Sequence, residues 1–159
     1  MIPKVYVETT IVSYLTARPA REVVALAHQE VTREWWAKRR SDYELYVSEI
    51  VVAEAERGDP DAARARLALM AGMARASATA ASESLAPVLL RETRLPAHAF
   101  LDMSHVSIAA VHGMQFLLTW NCRHIANANV IRIVEKVCRD HGYEPPVICT
   151  PEELMGEPS

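Results

Sequence analysis

Four residues of this sequence carry oxygen ligands in a pattern that invites chemistry: Glu8, Glu54, Asp102 and Asn121. Three are carboxylates and the fourth is an amide, all hard donors of the kind that hold Mg²⁺ or Mn²⁺. Carboxylates drawn together from separate elements repel one another, and a bound divalent ion removes that cost while supplying an electrophile. Such an ion activates water, orients a phosphodiester and stabilises charge on the leaving oxygen. Asp102 is the least ordinary of the four. It interrupts the apolar helical run Ala99-Phe100-Leu101-Asp102-Met103-Ser104-His105-Val106, where a carboxylate is costly to bury unless paired or metal-bound. His105, three residues on, falls near the same helical face. Thr9 and Thr119 stand beside Glu8 and Asn121 as groups able to orient a water or an acid. Arg123 and His124, just past Asn121, are candidate phosphate contacts, with Arg18 and Arg57 as further ones.

Each residue also has an ordinary reading. Glu8 reads equally as a solvent-facing residue at a strand end. Glu54 lies in Ala53-Glu54-Ala55-Glu56-Arg57, where glutamates are commonly solvated. Asn121 reads as a cap of the segment after it, His105 as a satisfied core histidine, and His124 as a surface residue. The four arginine and histidine candidates read as solvated surface.

The elements that must position these groups are short strands alternating with helices. Residues 4–7 and 44–47 are expected strands, 116–118 a buried strand, and 147–148 a last short one. A helix is expected over 20–40, with Val24, Ala27, His28, Val31 and Trp35 at helical spacing. Ser48 is placed as the N-cap of a helix ending at Gly58. Asp59-Pro60 starts another to about Met70, since Asp caps well and Pro is tolerated at the first position. Helices follow over 79–93, where Pro87 predicts a kink or a fresh start, then from Pro96 to Gly113, then over 128–141. Pro151 opens a short terminal helical turn. The strands are continuously apolar rather than alternating, which predicts a parallel sheet covered on both faces. In such folds ligands bind outside the carboxyl ends of the strands, where Glu8 and Asn121 lie.

The bulk numbers bound these expectations. The 159 residues fit one domain, 1–155, with 156–159 a frayed tail. Seventeen Lys plus Arg against 20 Asp plus Glu give a formal charge of −3, so no basic surface for nucleic acid is announced by charge alone. The three cysteines have no paired spacing, which argues against a disulfide framework or a Cys-rich zinc site. With no signal-peptide pattern and no apolar run near the roughly 18 residues of a membrane span, a cytoplasmic location is expected. Glycine spacing matches neither dinucleotide-binding nor Walker-type loops.

Read together, the segments resemble the four motifs of PIN-domain proteins. Val5-Tyr6-Val7-Glu8-Thr9-Thr10 is similar to the opening motif, with Glu8 where aspartate is usual. Ser48-Glu49-Ile50-Val51-Val52-Ala53-Glu54, with Gly58 beyond, resembles the second, and Asp102-Met103-Ser104-His105-Val106-Ser107-Ile108-Ala109 the third. Phe116-Leu117-Leu118-Thr119-Trp120-Asn121 resembles the fourth, with Asn121 where many members have aspartate. The resemblance spans about residues 4–155. It implies an α/β fold, a PIN-like three-layer α/β/α sandwich with a central, mostly parallel sheet. It further implies that Glu8, Glu54, Asp102 and Asn121 hold Mg²⁺ or Mn²⁺, and that the protein hydrolyses RNA phosphodiester bonds. Many bacterial relatives are VapC-like ribonuclease toxins of toxin-antitoxin pairs, so an antitoxin partner and a homodimer are implied expectations. Glu8 adds one methylene to the usual ligand and Asn121 removes one charge, which leaves three formal negative charges. The alternative those departures suit is a PIN-like binding module for RNA or protein that cuts poorly. A third possibility is a structural partner: the adjacent Trp35 and Trp36 cannot share one helical face, so one is available for a dimer or antitoxin surface.

Overall fold

The computed structural model describes residues 1–156, and the expected frayed tail falls mostly on residues outside those described. Five parallel strands form one sheet in the order β3-β2-β1-β4-β5. They are β1 (Lys4–Val7), β2 (Glu44–Val47), β3 (Ala74–Arg75), β4 (Phe116–Leu118) and β5 (Val147–Cys149). Helices α1 (Thr9–Thr16), α2 (Val23–Arg39), α3 (Glu49–Ala55), α4 (Pro60–Met70), α5 (Ala80–Thr93), α6 (Phe100–Val111) and α7 (Ala128–Asp140) flank the sheet. The α/β architecture and the four expected strands are therefore present, and every strand pairing is parallel.

β1 is the centre of the sheet. From it the chain moves outward to β2 and β3 on one side and to β4 and β5 on the other, so the crevice between the carboxyl ends of β1 and β4 is the topological switch point. Register fixes what meets there. Val7 pairs with Leu118, and the Glu8 amide donates to the Leu118 carbonyl at 3.1 Å, which sets Glu8 beside Thr119. Val5, Tyr6, Val7, Leu117 and Leu118 are completely buried, because helices cover both faces.

Several boundaries follow local chemistry. The Ser48 hydroxyl caps α3, and the Asp59 carboxylate accepts from the Ala62 amide ahead of Pro60 at the start of α4. Thr79 and Ser82 form a reciprocal cap on α5. That helix runs through Pro87 without a restart. Pro87 and Glu83, whose carbonyl loses its helical donor there, are both exposed residues. Gly113 adopts φ +68 just after α6, where a side chain would be strained.

Other expectations need correction. The helix α3 stops at Ala55, short of Gly58. A short 3₁₀ turn at Ala97–Ala99 precedes α6, so Pro96 does not open that helix directly. Pro151 does open a single short turn, in which the Leu154 amide donates to the Thr150 carbonyl at 3.1 Å. The inward face of α2 is Gln29, Thr32 and Trp35, whereas Val24 is 57 % exposed. Polar Gln29 is buried because it accepts from the Ala20 amide and donates to the Arg18 carbonyl, tying down the loop before α2. Trp35 is fully buried and donates its indole N–H to the Leu154 carbonyl at 3.1 Å. Trp36 is partly buried, with the Arg40 guanidinium 4.9 Å from its ring centroid. Among the described residues no helix is long and apolar enough to cross a membrane.

Candidate functional site

At the carboxyl edge of the sheet an open cleft of about 380 Å³ is lined by Glu8, Thr9, Thr10, Ser13, Tyr14, Glu54, Asp102 and Asn121. All four expected oxygen-ligand residues and Thr9 thus share one cleft, although they come from β1–α1, α3, α6 and the segment after β4. Thr119 lies directly beneath, fully buried against Glu8.

Glu8 is 4 % exposed and is not a solvent-facing strand end. It is the N-cap of α1, a helix the sequence does not announce because glutamate is not a usual cap and Thr9-Thr10-Ile11-Val12 is rich in β-branched residues. One carboxylate oxygen accepts from the Thr10 amide at 3.0 Å; the other accepts the hydroxyls of Thr10 at 2.6 Å and Thr119 at 2.5 Å. These hydroxyls are held in turn, since Thr10 accepts from the Trp120 amide and Thr119 from the Asn121 amide. The extra methylene of glutamate therefore carries the carboxylate across to β4, where it joins the ends of two strands. Thr10, not singled out in the sequence, is as closely involved as Thr119.

Glu54 ends a longer chain of hydrogen bonds. Its Oε1 accepts the Thr9 hydroxyl at 3.0 Å and lies 2.6 Å from His105 Nε2. A carboxylate only accepts, so His105 Nε2 donates and Nδ1 is left to accept from the Tyr6 hydroxyl at 2.6 Å. Tyr6 then accepts from the Ser48 hydroxyl at 2.7 Å. Ser48, Tyr6 and His105 are wholly buried. Burial pushes the Tyr6 hydroxyl far above its ordinary range, against the opposing Ser48 hydrogen bond, which keeps the phenol protonated as a donor. For Glu54, burial pushes the carboxyl up, but the hydrogen bonds from His105 and Thr9, with the nearby Arg57 charge, outweigh it and hold the group below its ordinary value. His105 is a core histidine, as its ordinary reading has it, and it also orients a cleft carboxylate.

Asp102 is partly buried, and its Oδ2 lies 2.8 Å from His124 Nδ1, which donates by the same reasoning. The His124 amide donates to Asn121 Oδ1 at 3.0 Å, so Asn121 does cap the turn after it while facing the cleft. His124 is buried, which corrects its reading as a surface residue, and its Nδ1 serves Asp102. Arg123, Arg18 and Arg57 are exposed and do not line the cleft. Arg57 is near enough to Glu54 to stabilise its charge. The pairing partners His105 and His124 were visible as residues, but nothing in their spacing tied either to a particular acid.

The donor set fits a hydrated divalent ion better than a cage. Among the described residues no three His, Cys, Asp or Glu side chains converge as a ready cation site. The hydrogen bonds to Glu54 fall on Oε1 and that to Asp102 on Oδ2, so the second oxygen of each of these cleft-lining carboxylates does not take part in those bonds. Mg²⁺ commonly keeps several waters and binds through one or two carboxylates, and this pair meets that need. Glu8 contributes negative charge, with both oxygens already accepting.

No protein-family model matches this chain, and no curated protein matches it in sequence. Solved structures do match. A chain of VapBC2 from Rickettsia felis, crystallised bound to a DNA fragment from its promoter, aligns over 92 % of this chain and 98 % of its own, with a TM-score of 0.56 and 15 % identity. VapC20 of Mycobacterium tuberculosis, a Sarcin-Ricin loop cleaving toxin, aligns over 71 % of this chain and 86 % of its own, with a TM-score of 0.54 and 20 % identity. The likeness at these identities is one of fold: this chain has the PIN-like fold of VapC structures.

Proposed function

We propose that this PIN-like protein is a divalent-metal-dependent endoribonuclease of the VapC kind, acting in the cytoplasm as the toxin of a toxin-antitoxin pair. The observation that carries the reading is the gathering of Glu8, Glu54, Asp102 and Asn121 around one cleft at the switch point of the sheet. The likeness to a Sarcin-Ricin loop cleaving toxin supports RNA as substrate, and the likeness to a VapBC2 chain supports an antitoxin partner.

In this reading Glu54 and Asp102 hold Mg²⁺ or Mn²⁺, with Asn121 assisting through its amide oxygen. The bound ion would lower the pKa of a water and offset charge on the phosphodiester. The chain's own residues prepare the site. His105 and Thr9 fix the Glu54 carboxylate, and His124 fixes Asp102, so neither must reorganise when a phosphodiester enters. Glu8 keeps a third negative charge at the cleft and clamps β1 to β4 through Thr119 and Thr10.

The direct test is Asp102→Asn. The amide preserves size, and the variant is expected to fold with the same circular dichroism while RNA cleavage falls by about two orders of magnitude or more. Cleavage at the wild-type rate by rigorously purified protein would overturn the mechanism.

A second reading is a PIN-like module that binds RNA or protein and cuts weakly. It is favoured by Glu8, whose oxygens are committed to hydroxyl and amide donors, and by the absence of a three-ligand cluster among the described residues. Calorimetric titration with Mn²⁺ beside a nuclease assay separates the two: metal-dependent turnover supports the enzyme, and RNA binding without turnover supports the module.

A further inference from the structure

Next to the acidic cleft three aromatic rings form a cluster that the site chemistry does not use. Tyr14 lines the cleft together with Glu8, Thr10 and Asn121. Its ring meets that of His28 edge-on, with centroids 6.2 Å apart. His28 stacks on the Trp120 indole at 3.9 Å and an interplanar angle of 10°. All three side chains are partly exposed, unlike the aromatic core residues Tyr6 and Trp35.

The cluster is held rigidly. The Trp120 amide donates to the Thr10 hydroxyl at 2.8 Å and its indole N–H to the Thr32 hydroxyl at 2.7 Å. Both N–H groups of Trp120 are thereby satisfied within the protein, its ring lies stacked on His28, and the residue remains partly exposed. The same Thr10 hydroxyl donates to Glu8, so the ring and the acidic cleft share one anchor. A surface ordered in advance loses little entropy on binding a ligand.

Charge makes stacking the more useful interaction here. The chain carries −3 overall and its cleft is lined by three carboxylates. No Lys or Arg lines the cleft, so phosphate neutralisation, which supplies most non-specific nucleic-acid binding, finds no cation within it. Stacking of a base on an aromatic ring does not depend on charge and tolerates every base. It does require an unpaired base, because bases in a duplex already stack on their neighbours.

We infer that Tyr14, His28 and Trp120 form a stacking platform for an unpaired nucleobase of single-stranded RNA, at the edge of the cleft that would take its phosphodiester. The inference rests on the ribonuclease reading only for the role of the cleft; the platform itself rests on the ring geometry.

The test measures binding, not cleavage. Fluorescence anisotropy is recorded in EDTA with an end-labelled, unstructured RNA of roughly a dozen nucleotides, a length within the range such surfaces cover, and with the same sequence as a duplex. Wild type is expected to bind the single strand more tightly than the duplex. Tyr14→Ala weakens single-strand binding about tenfold, and Tyr14→Phe, which keeps the ring, stays within about twofold of wild type. His28→Leu, which keeps bulk but not the aromatic face, weakens binding in the same direction and stands in should Tyr14→Ala fail to fold. Wild-type binding by Tyr14→Ala or His28→Leu, an equal loss in Tyr14→Phe, or equal affinity for the duplex overturns the platform. Because the binding assay contains no free metal, cleavage is read separately: a wild type that binds single strands in EDTA but never cuts them when Mn²⁺ is supplied would defeat the nuclease reading and leave the platform standing. A wild type that cuts RNA but shows no effect of Tyr14→Ala would do the reverse.

Discussion

Replacing Tyr6 by phenylalanine removes one oxygen from the interior and breaks two hydrogen bonds. The hydroxyl lies 2.6 Å from His105 Nδ1 and 2.7 Å from Ser48 Oγ, and all three residues have no exposed surface. No water reaches either abandoned partner, so each bears much of the cost of an unsatisfied buried polar group, about 1–3 kcal/mol. Ser48 can turn its hydroxyl elsewhere, and the void left by one oxygen is small, so the expected loss is about 3 kcal/mol rather than the sum of the upper limits. For a domain of this size that lowers the melting temperature by roughly 6–12 °C. Urea denaturation followed by circular dichroism gives the free energy, with an unchanged m-value as the check that the same surface is exposed. The hydrogen-bond direction adds a sharper requirement. Ser48→Ala should cost less in the Tyr6→Phe background than in wild type, because the serine donor is already orphaned there, and the coupling should reach about 1 kcal/mol. A Tyr6→Phe loss below about 0.5 kcal/mol, or additive effects in the double variant, would refute a chain running from Ser48 to Glu54.

Glu8→Gln replaces a carboxylate that accepts three donors by an amide with a single acceptor oxygen. It is expected to cost about 1–2 kcal/mol in thermal unfolding and to lower RNA cleavage; unchanged stability would show that Glu8 does not clamp β1 to β4. Burial pushes the Cys138 thiol up to about 11 and the Cys149 thiol up to about 12. Their folded values lie above the unfolded thiol value near 9, so the stability they contribute is intact below that pH and is lost as pH rises toward 11–12. Cys138→Ala should therefore flatten the alkaline limb of a stability–pH curve, and a limb of unchanged slope would contradict the assignment. In the native protein, a thiol reagent should modify the exposed Cys122 and spare the two buried cysteines, as mass spectrometry of the labelled chain would report.

The Asp102 and Glu54 carboxylates illustrate how far local pattern reaches. An aspartate in an apolar helical run is an energetic anomaly that needs a partner, and this is legible without coordinates. Which partner it finds is not legible. His105 is three residues from Asp102 and on the same helix, yet it turns to Glu54, 51 residues away, while Asp102 takes His124 from the loop after β4. Helical spacing places His105 and Asp102 on neighbouring directions of α6, but the position of α3 against that helix decides which carboxylate the imidazole meets.

What the sequence by itself determined was local and periodic: continuous apolar strands between helices, the caps at Ser48 and Asp59-Pro60, and oxygen-bearing residues at the ends of the first and fourth strands and on two helices. These depend on backbone geometry and neighbours within a few residues. Only the tertiary structure decided that β1 lies between β2 and β4, and from this follows the rest of the site. The Val7–Leu118 register brings Glu8 to Thr119 across 111 residues and makes a residue expected at a strand end into a buried helix cap. It also opens the crevice where Tyr14 of α1, itself in contact with His28 of α2, lines the cleft with the acids. Strand order is set by how all the helices share the two faces of the sheet, a global packing problem that no window of the chain contains.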